Sequence, residues 1–284
     1  MTTLQSFGTS EPAGTRSRLM LFFSYVAMRG RSWRLYGRAT RSLAVAAATA
    51  LLSFAALGES SRTASPSNPV PFSALHAGAA LAPWTHVAIA FGKRETHYDL
   101  IDDDGTVVLH AVADNAASAL AYPLHLALHD APILAWRWKV AGEIPGADPR
   151  RASREDAPAR VVLEFDGDSS KLPLVDRAIY GAARHVAGRE LPYATLMYIF
   201  ANREGVGTVI PNPHTRRIQM IVVSSGASGV GRWQSLTRNV HADFVRAFGE
   251  EPGTLTAVGV LTDSDNTDGH AEAWYGDIRF EHPH

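Results

Sequence analysis

A chain of 284 residues, 46% of them apolar, is long enough for one large or two small domains with a hydrophobic core. It contains no cysteine, which excludes disulfides, thiolate nucleophiles and cysteine-based zinc sites. The formal net charge of −1 hides an uneven distribution: residues 1–58 hold seven arginines and one acidic residue, and residues 59–284 hold 20 basic and 27 acidic residues. This acidic body has no basic stripe, which argues against nucleic-acid binding, a process driven by Lys and Arg on phosphates.

The N-terminal part has the layout of a secretory signal. Five arginines in residues 29–41 precede the apolar run Ser42–Leu57, and small residues follow it. Because this run is short for a membrane span, we predict cleavage and export to the periplasm or beyond, with an uncleaved anchor as the alternative. Membrane contact is then limited to the signal segment. Met28, directly before the arginines, is an alternative start.

The rest of the chain divides into a linker and one domain. Residues 59–71 are rich in Pro and Ser and are predicted to be a flexible linker, whereas residues 72–284 are expected to form a single domain. Short runs with strand-like patterns dominate that domain. The predicted strands are Thr96–Ile101, Thr106–Val112, Ala117–Leu128, Pro132–Val140, Arg160–Asp166, Leu191–Asn202, Arg217–Ser224, Gly253–Thr262 and Ala271–Phe280.

Two helices interrupt these strands. Leu172–Ala187 has an apolar stripe that ends at Gly188, and Val240–Phe248 lies between a potential N-cap, Asn239, and Gly249. The segment Gly205–His214 is predicted to be a loop, because Pro211 and Pro213 cannot donate ladder hydrogen bonds. The expected fold class is therefore mainly β, an antiparallel jelly-roll-like β-sandwich with two short helical insertions.

The candidate ligand-binding residues combine flat or polar side chains with positions near loops. In the strand Pro132–Val140, alternation places Trp136 and Trp138 on one face and Arg137 on the other. The tryptophans fit either a core or a stacking platform, and Arg137 is the better candidate for an external contact. Aromatic and amide groups of this kind are typical of sugar sites. The candidates are Arg137, Tyr193, Asn202, Asn212 and Trp233.

The segment Leu261–Phe280 contains a tight acidic loop between two apolar runs. Calcium binds carboxylate and amide oxygens, which Asp263, Asp265, Asn266 and Asp277 supply. The loop departs from the EF-hand pattern, so two interpretations stay open. One is a structural calcium site, and the other is a solvated turn.

Three carboxylates, Glu164, Asp166 and Asp168, follow one another at the end of a predicted strand. Retaining glycosidases use two carboxyl groups close together, one as nucleophile and one as acid. The alternative is a solvent-facing strand end before a turn. No G-x-S-x-G elbow and no H-E-x-x-H helix occurs, so the local signatures of serine and zinc hydrolases are absent from the sequence.

Six ordered motifs carry a family resemblance over roughly residues 72–280: LAWRWKV, EFDGD, ELPYATLMYIFAN, VIPNP, GRWQSLTRNVHADFVRAFGEEP and LTDSDNTDGHAEAWYGDIRF. Together they resemble an uncharacterised bacterial family of exported proteins, the domain of unknown function family 3047. The resemblance implies an exported β-sandwich whose activity is not established, and it supplies no catalytic residues.

Three functions fit these observations. The leading hypothesis is an exported, non-catalytic β-sandwich that binds a carbohydrate or similar ligand of the cell envelope. The alternatives are an envelope polysaccharide hydrolase or lyase and an envelope scaffold protein. Whether the protein is an enzyme is left open by the sequence, and calcium is the only cofactor that it indicates.

Overall fold

The protein is a two-layered β structure. The structure, a computed structural model, describes residues 68–89, 93–129, 132–172, 177 and 192–282. The strands within them are β1 Thr85–Ala88, β2 His97–Asp103, β3 Thr106–Asp114, β4 Ala117–Leu126, β5 Ile133–Val140, β6 Ala157–Phe165, β7 Ala194–Ala201, β8 Val209–Pro211, β9 Ile218–Ser225, β10 Gln234–Asn239, β11 Leu255–Asp263, β12 His270–Tyr275 and β13 Arg279–Glu281. One α-helix, α1, spans Val240–Phe248 in this described part.

The strands form two sheets. A seven-stranded sheet has the order β1-β4-β11-β6-β7-β9-β8, and a six-stranded sheet has the order β10-β5-β12-β3-β2 with β13 paired to β5. The prediction of a mainly β fold is confirmed. The expectation of antiparallel pairing needs one correction, because β7 and β9 run parallel.

The core lies between the two sheets. The six-stranded sheet contributes Leu134, Trp136 and Trp138 from β5, all of them buried. The seven-stranded sheet contributes Val161, Leu163 and Phe165 from β6, together with apolar residues of β4, β7, β9 and β11. The strict alternation along β5 therefore buries the tryptophans and points Arg137 and Lys139 outward, which confirms the interpretation of the tryptophans as core residues.

Local signals fix the turn and the helix ends. The run Asp102–Gly105 between two predicted strands is a hairpin signal in the sequence, and the hairpin between β2 and β3 is present, with Asp104 and Gly105 at positive φ and the Gly105 N–H donating to Asp102. Asn239 caps α1 by accepting from the N–H of Ala242, and Gly249 ends it in the left-handed conformation. These features follow directly from residue type.

The structure contains two strands that were not predicted from the sequence, β1 and β10, and it changes two of the segments that were assigned. Val209–Pro211 forms the edge strand β8 inside the segment predicted as a loop, and an edge position tolerates Pro211 because its missing N–H faces no partner strand. The expected strand Ala271–Phe280 is split into β12 and β13 at Gly276, whose N–H donates to the Arg137 carbonyl. Both β12 and β13 pair with β5.

Other predictions fall outside the described residues. The signal segment and most of the linker precede residue 68, and the predicted helix Leu172–Ala187 lies almost wholly in the undescribed part. The domain boundaries therefore stay a prediction. In the described part of the chain, no helix has the length and apolarity needed to cross a membrane.

Candidate functional site

The outer face of the six-stranded sheet carries an alternating set of cations and aromatic rings. We call it the cation–aromatic ladder and define it as Arg137, Trp233, Lys139, Trp274 and His110. All five side chains are half-buried. The ladder gathers two indole rings, an imidazole and two permanent cations on one side of this sheet.

Strand register explains why these residues meet. β12 lies between β5 and β3, so Trp274 pairs with Lys139 on one side and with His110 on the other. His110 in turn pairs with Asp99 of β2. Because directly opposed residues in antiparallel strands point to the same face, one row of side chains crosses four strands. Trp233 joins this row from the residue before β10, which pairs with β5 on the opposite side from β12.

The contacts within the ladder are close. The guanidinium carbon of Arg137 lies 4.4 Å from the Trp233 ring centroid. Lys139 Nζ lies 5.2 Å from the Trp233 ring and 4.5 Å from the Trp274 ring. The His110 ring stacks on Trp274 with centroids 5.3 Å apart and planes inclined by 21°. Cations at these distances are attracted to the ring faces.

Carboxylates surround the ladder and accept hydrogen bonds from its polar groups. Asp103 accepts from Trp233 Nε1 at 2.7 Å and from Lys139 at 3.0 Å. These hydrogen bonds, that of Trp233 first, lower the pKa of Asp103. The His110 ring lies between Asp99 at 3.1 Å and Glu272 at 2.8 Å. The face therefore offers hydrogen-bonding groups of both kinds beside two indole rings.

Arg137 is held in place without using its polar atoms. No hydrogen bond or ion pair joins its guanidinium to the described residues. A methyl group built on Gly276 would lie 2.5 Å from Arg137 Cγ and 2.6 Å from Nε, so the side chain lies directly over that glycine. Trp233 below the guanidinium and Gly276 below the chain fix Arg137 while its N–H groups stay available.

The structure brings two of the five predicted ligand residues together, Arg137 and Trp233. The other three belong to the region of the seven-stranded sheet. Tyr193 donates from its hydroxyl to Glu250 and lies under the guanidinium of Arg217. Asn202 donates to the Ile144 carbonyl at 2.7 Å, and buried Asn212 accepts from the N–H of His214. The predicted set is therefore divided between two sheets.

Sequence reasoning missed several members of the ladder and its surroundings. Lys139 shares the outward face of β5 with Arg137, and Glu272 shares that of β12 with Trp274, so alternation alone could have nominated both. His110, Asp99 and Asp103 needed the register of β2, β3 and β12. Asp99 and His110 meet across the local hairpin of β2 and β3, but β3 and β12 lie more than 150 residues apart in the chain, and no local signal contains their pairing.

The carboxylate trio lies at the end of β6 in the seven-stranded sheet. Glu164 is on the strand, and Asp166 and Asp168 follow it in the turn. Asp168 accepts from the backbone and hydroxyl of Ser170, and these bonds lower its pKa. A carboxyl group with a lowered pKa is a poor general acid. This argues against Asp168 as the general acid, and the hydrolase alternative stays a prediction that a Glu164→Gln variant can test.

The acidic loop contributes to a buried ion-pair network. Arg160, 1% exposed, donates from Nε and Nη2 to both oxygens of Asp263 at 3.0 Å and from Nη1 to Glu155 at 2.7 Å. Burial raises the pKa of Asp263 to about 8, with Arg160 opposing the shift and Asp156 and Glu155 adding to it.

The acidic side chains are arranged differently from the predicted calcium site. Asp156, Asp263 and Asp265 lie with carboxylate oxygens within 4.8 Å of one another, and Asp277 is not part of this group. Asp277 instead accepts from the N–H and hydroxyl of Ser73. Asp156 accepts from Asn266 and Thr267, and Asp265 pairs with Lys93. The grouped oxygens are thus engaged by protein donors, and calcium binding stays a prediction.

One Ser–His–Glu arrangement occurs near the edge of the seven-stranded sheet. His86 Nε2 lies 2.8 Å from Ser118 Oγ, and His86 Nδ1 lies 3.7 Å from a Glu95 carboxylate oxygen. Ser118 is fully buried, and its oxygen accepts from the N–H of Thr96. A hydroxyl in this position does not reach a substrate, so the contact is structural.

The chain is a two-sheet β protein, and the outer face of its six-stranded sheet carries charged and aromatic side chains. A family model described as "Protein of unknown function (DUF3047)" matches residues 82–279, and the chain belongs to that family. The sequence-based resemblance to this family is confirmed.

Two other comparisons are less informative. No curated protein matches the chain. Among solved structures, 24 chains match. One is the family 30 carbohydrate-binding module of the cellulosomal cellulase Cel9D-Cel44B of Clostridium thermocellum, with 12% identity and a TM-score of 0.30, covering 75% of this chain and 95% of that chain. A likeness this distant supports no inference about function.

Proposed function

We propose that this protein is an exported, non-catalytic binding protein whose cation–aromatic ladder holds a carbohydrate of the cell envelope. The observation that carries the proposal is the ladder itself: two half-buried indoles on one outer sheet face, edged by Asp103, Glu272 and Asp99. Sugar rings present apolar C–H faces and hydroxyl groups, and sites that bind them combine flat aromatic surface with a few oriented polar groups.

The size and rigidity of the face support the same function. Five strands about 4.8 Å apart give a face about 19 Å wide, enough for several sugar rings. The ladder side chains are braced by one another and stand on regular strands over a packed core, so little ordering accompanies binding. The jelly-roll-like arrangement, the export signal and the role outside the cytosol are part of this proposal.

The test is binding of soluble envelope polysaccharides, measured by affinity electrophoresis and by a glycan array. Truncation of a stacked aromatic residue typically removes about 1–3 kcal/mol of binding, so Trp233→Ala and Trp274→Ala should each weaken binding by about tenfold or more. Tyr193→Phe, which contacts Arg217 and not the ladder, is the matched control and should keep the wild-type affinity.

Two outcomes would count against the proposal. A blank array together with blank gels would reject carbohydrate binding. If Tyr193→Phe weakens binding and the two tryptophan variants do not, the binding site lies on the seven-stranded sheet instead.

The predicted calcium site is a separate question, and isothermal titration of chelator-stripped protein with calcium tests it.

A further inference from the structure

The basic side chains of the ladder differ in how their hydrogen-bond donors are used. Lys139 is paired with Asp103 at 3.0 Å. His110 lies between two carboxylates, Asp99 and Glu272. Among the basic residues of the ladder, Arg137 alone has no carboxylate in hydrogen-bond contact within the described part of the chain. The face thus contains one permanent cation whose N–H donors are unused by the described residues.

The geometry of Arg137 suits a planar anion. A guanidinium presents N–H groups in a fixed fork that matches a carboxylate in a bidentate arrangement. Here one guanidinium face lies on Trp233, and Gly276 leaves room for the side chain to lie flat. Since stacking occupies the flat side, the N–H edge is the part left for a ligand.

The neighbouring acids limit the charge that the ligand can carry. Asp103 is close enough for Arg137 to contribute to the lowering of its pKa. A group with two negative charges, such as a phosphate monoester, would be repelled by Asp103 and by Glu272 further along the ladder. A ligand group with a single negative charge meets less of this repulsion, and it matches the one arginine whose N–H donors are unused.

We propose that the carbohydrate bound by the ladder is acidic and that Arg137 binds its carboxylate, as in a polymer of uronic acids. This inference rests on the proposed function, because it names the ligand class of the same face. Arg137 supplies the charge and the bidentate hydrogen bonds, the solvent-exposed parts of the half-buried Trp233 and Trp274 rings supply the apolar contacts, and Gly276 positions Arg137.

The experiment compares matched polymers by isothermal titration. Polygalacturonate, alginate and hyaluronate are each titrated before and after chemical reduction of their carboxyl groups, so that chain length and linkage stay the same. Because hydrogen bonds to charged groups are strong, at least one acidic polymer should bind about 10- to 100-fold more tightly than its reduced form. Raising the salt concentration should reduce that advantage.

Variants assign the preference to Arg137. Arg137→Ala should bring the acidic polymer down to the affinity of its reduced form, and Arg137→Lys should restore only part of the difference, since it keeps the charge and loses the fork. Arg203→Ala, an exposed arginine after β7, is the matched control and should behave as the wild type.

The outcomes separate this inference from the function on which it rests. Equal binding of acidic and reduced polymers, weakened by Trp233→Ala and untouched by Arg137→Ala, overturns the acidic preference and leaves carbohydrate binding in place. Binding of a phosphate-bearing polymer in preference to every uronate also overturns it. Failure of all polymers to bind the wild type rejects the proposed function and the inference together.

Discussion

Two arginines on opposite sheets show how differently the fold uses the same side chain. Arg160 on β6 is buried and donates through Nε, Nη1 and Nη2 to Asp263 and Glu155 and to the sulfur of Met220. Arg137 on β5 is half-buried, rests on Trp233 and donates to none of the described residues. The donor nitrogens of Arg160 are therefore all used in contacts within the protein. Arg137 is positioned by the structure and left with its donors free, as a ligand-binding residue requires.

The largest effect is expected from removing the buried arginine. Arg160→Met leaves the buried oxygens of Asp263 and Glu155 without the donor that satisfies them, so the free energy of unfolding should fall by about 3–5 kcal/mol. Urea denaturation followed by tryptophan fluorescence measures this change. The exposed Arg203→Ala serves as control and should stay within about 0.5 kcal/mol of the wild type. A loss in Arg160→Met below about 1 kcal/mol would contradict the structural role.

The acidic partner should produce an effect that depends on pH. The pKa of Asp263 is raised to about 8 in the folded protein, against about 3.9 when unfolded. Between these values the folded state holds a proton that the unfolded state has released, so this group favours folding at low pH and loses that contribution as the pH rises through 8.

The Asp263→Asn variant isolates this contribution. Asn cannot titrate, so wild-type stability should fall relative to the variant as the pH is raised from 5 to 9. Melting temperatures of both proteins across that range measure the difference. Parallel curves, or a wild type that gains stability relative to the variant, would show that Asp263 stays ionised throughout.

The contrast between the two arginines also shows what sequence reasoning can reach. Alternation along Pro132–Val140 correctly placed Trp136 inside and Arg137 outside, because the period of a strand is a local property. The caps of α1 and the Asp102–Gly105 turn followed from residue type in the same way. These predictions needed no knowledge of neighbouring strands.

The partners of each arginine were beyond local reasoning. Asp263 was nominated as a calcium ligand because its loop is acidic, and only the pairing of β6 with β11 brings it to Arg160. His110 and Trp274 meet because β3 pairs with β12. Strand order and register arise from packing over the whole chain, so a sequence pattern identifies the residues and leaves their neighbours unknown.

A third variant tests how Arg137 is positioned. Gly276→Ala places a methyl group against Arg137 Cγ and Nε, and the half-buried side chain should move away at a cost of about 1 kcal/mol, the low end for overpacking. The variant should fold, and it should lose the preference for acidic polymers while keeping affinity for reduced ones. Urea denaturation and the paired titrations measure the two effects. An unchanged preference would mean that Arg137 binds equally well from another position.

The smallest effect on stability is expected from substitution of Arg137 itself. Arg137→Ala removes a cation–aromatic contact with Trp233 at a partly exposed site, which is worth about 0.5–1 kcal/mol, and it breaks no hydrogen bond to the described residues. Its unfolding curve should therefore lie close to that of the wild type, whereas Arg160→Met shifts strongly. A loss of about 3 kcal/mol or more in Arg137→Ala would place both arginines in the same structural role. The free donors of Arg137 would then no longer be evidence for a ligand.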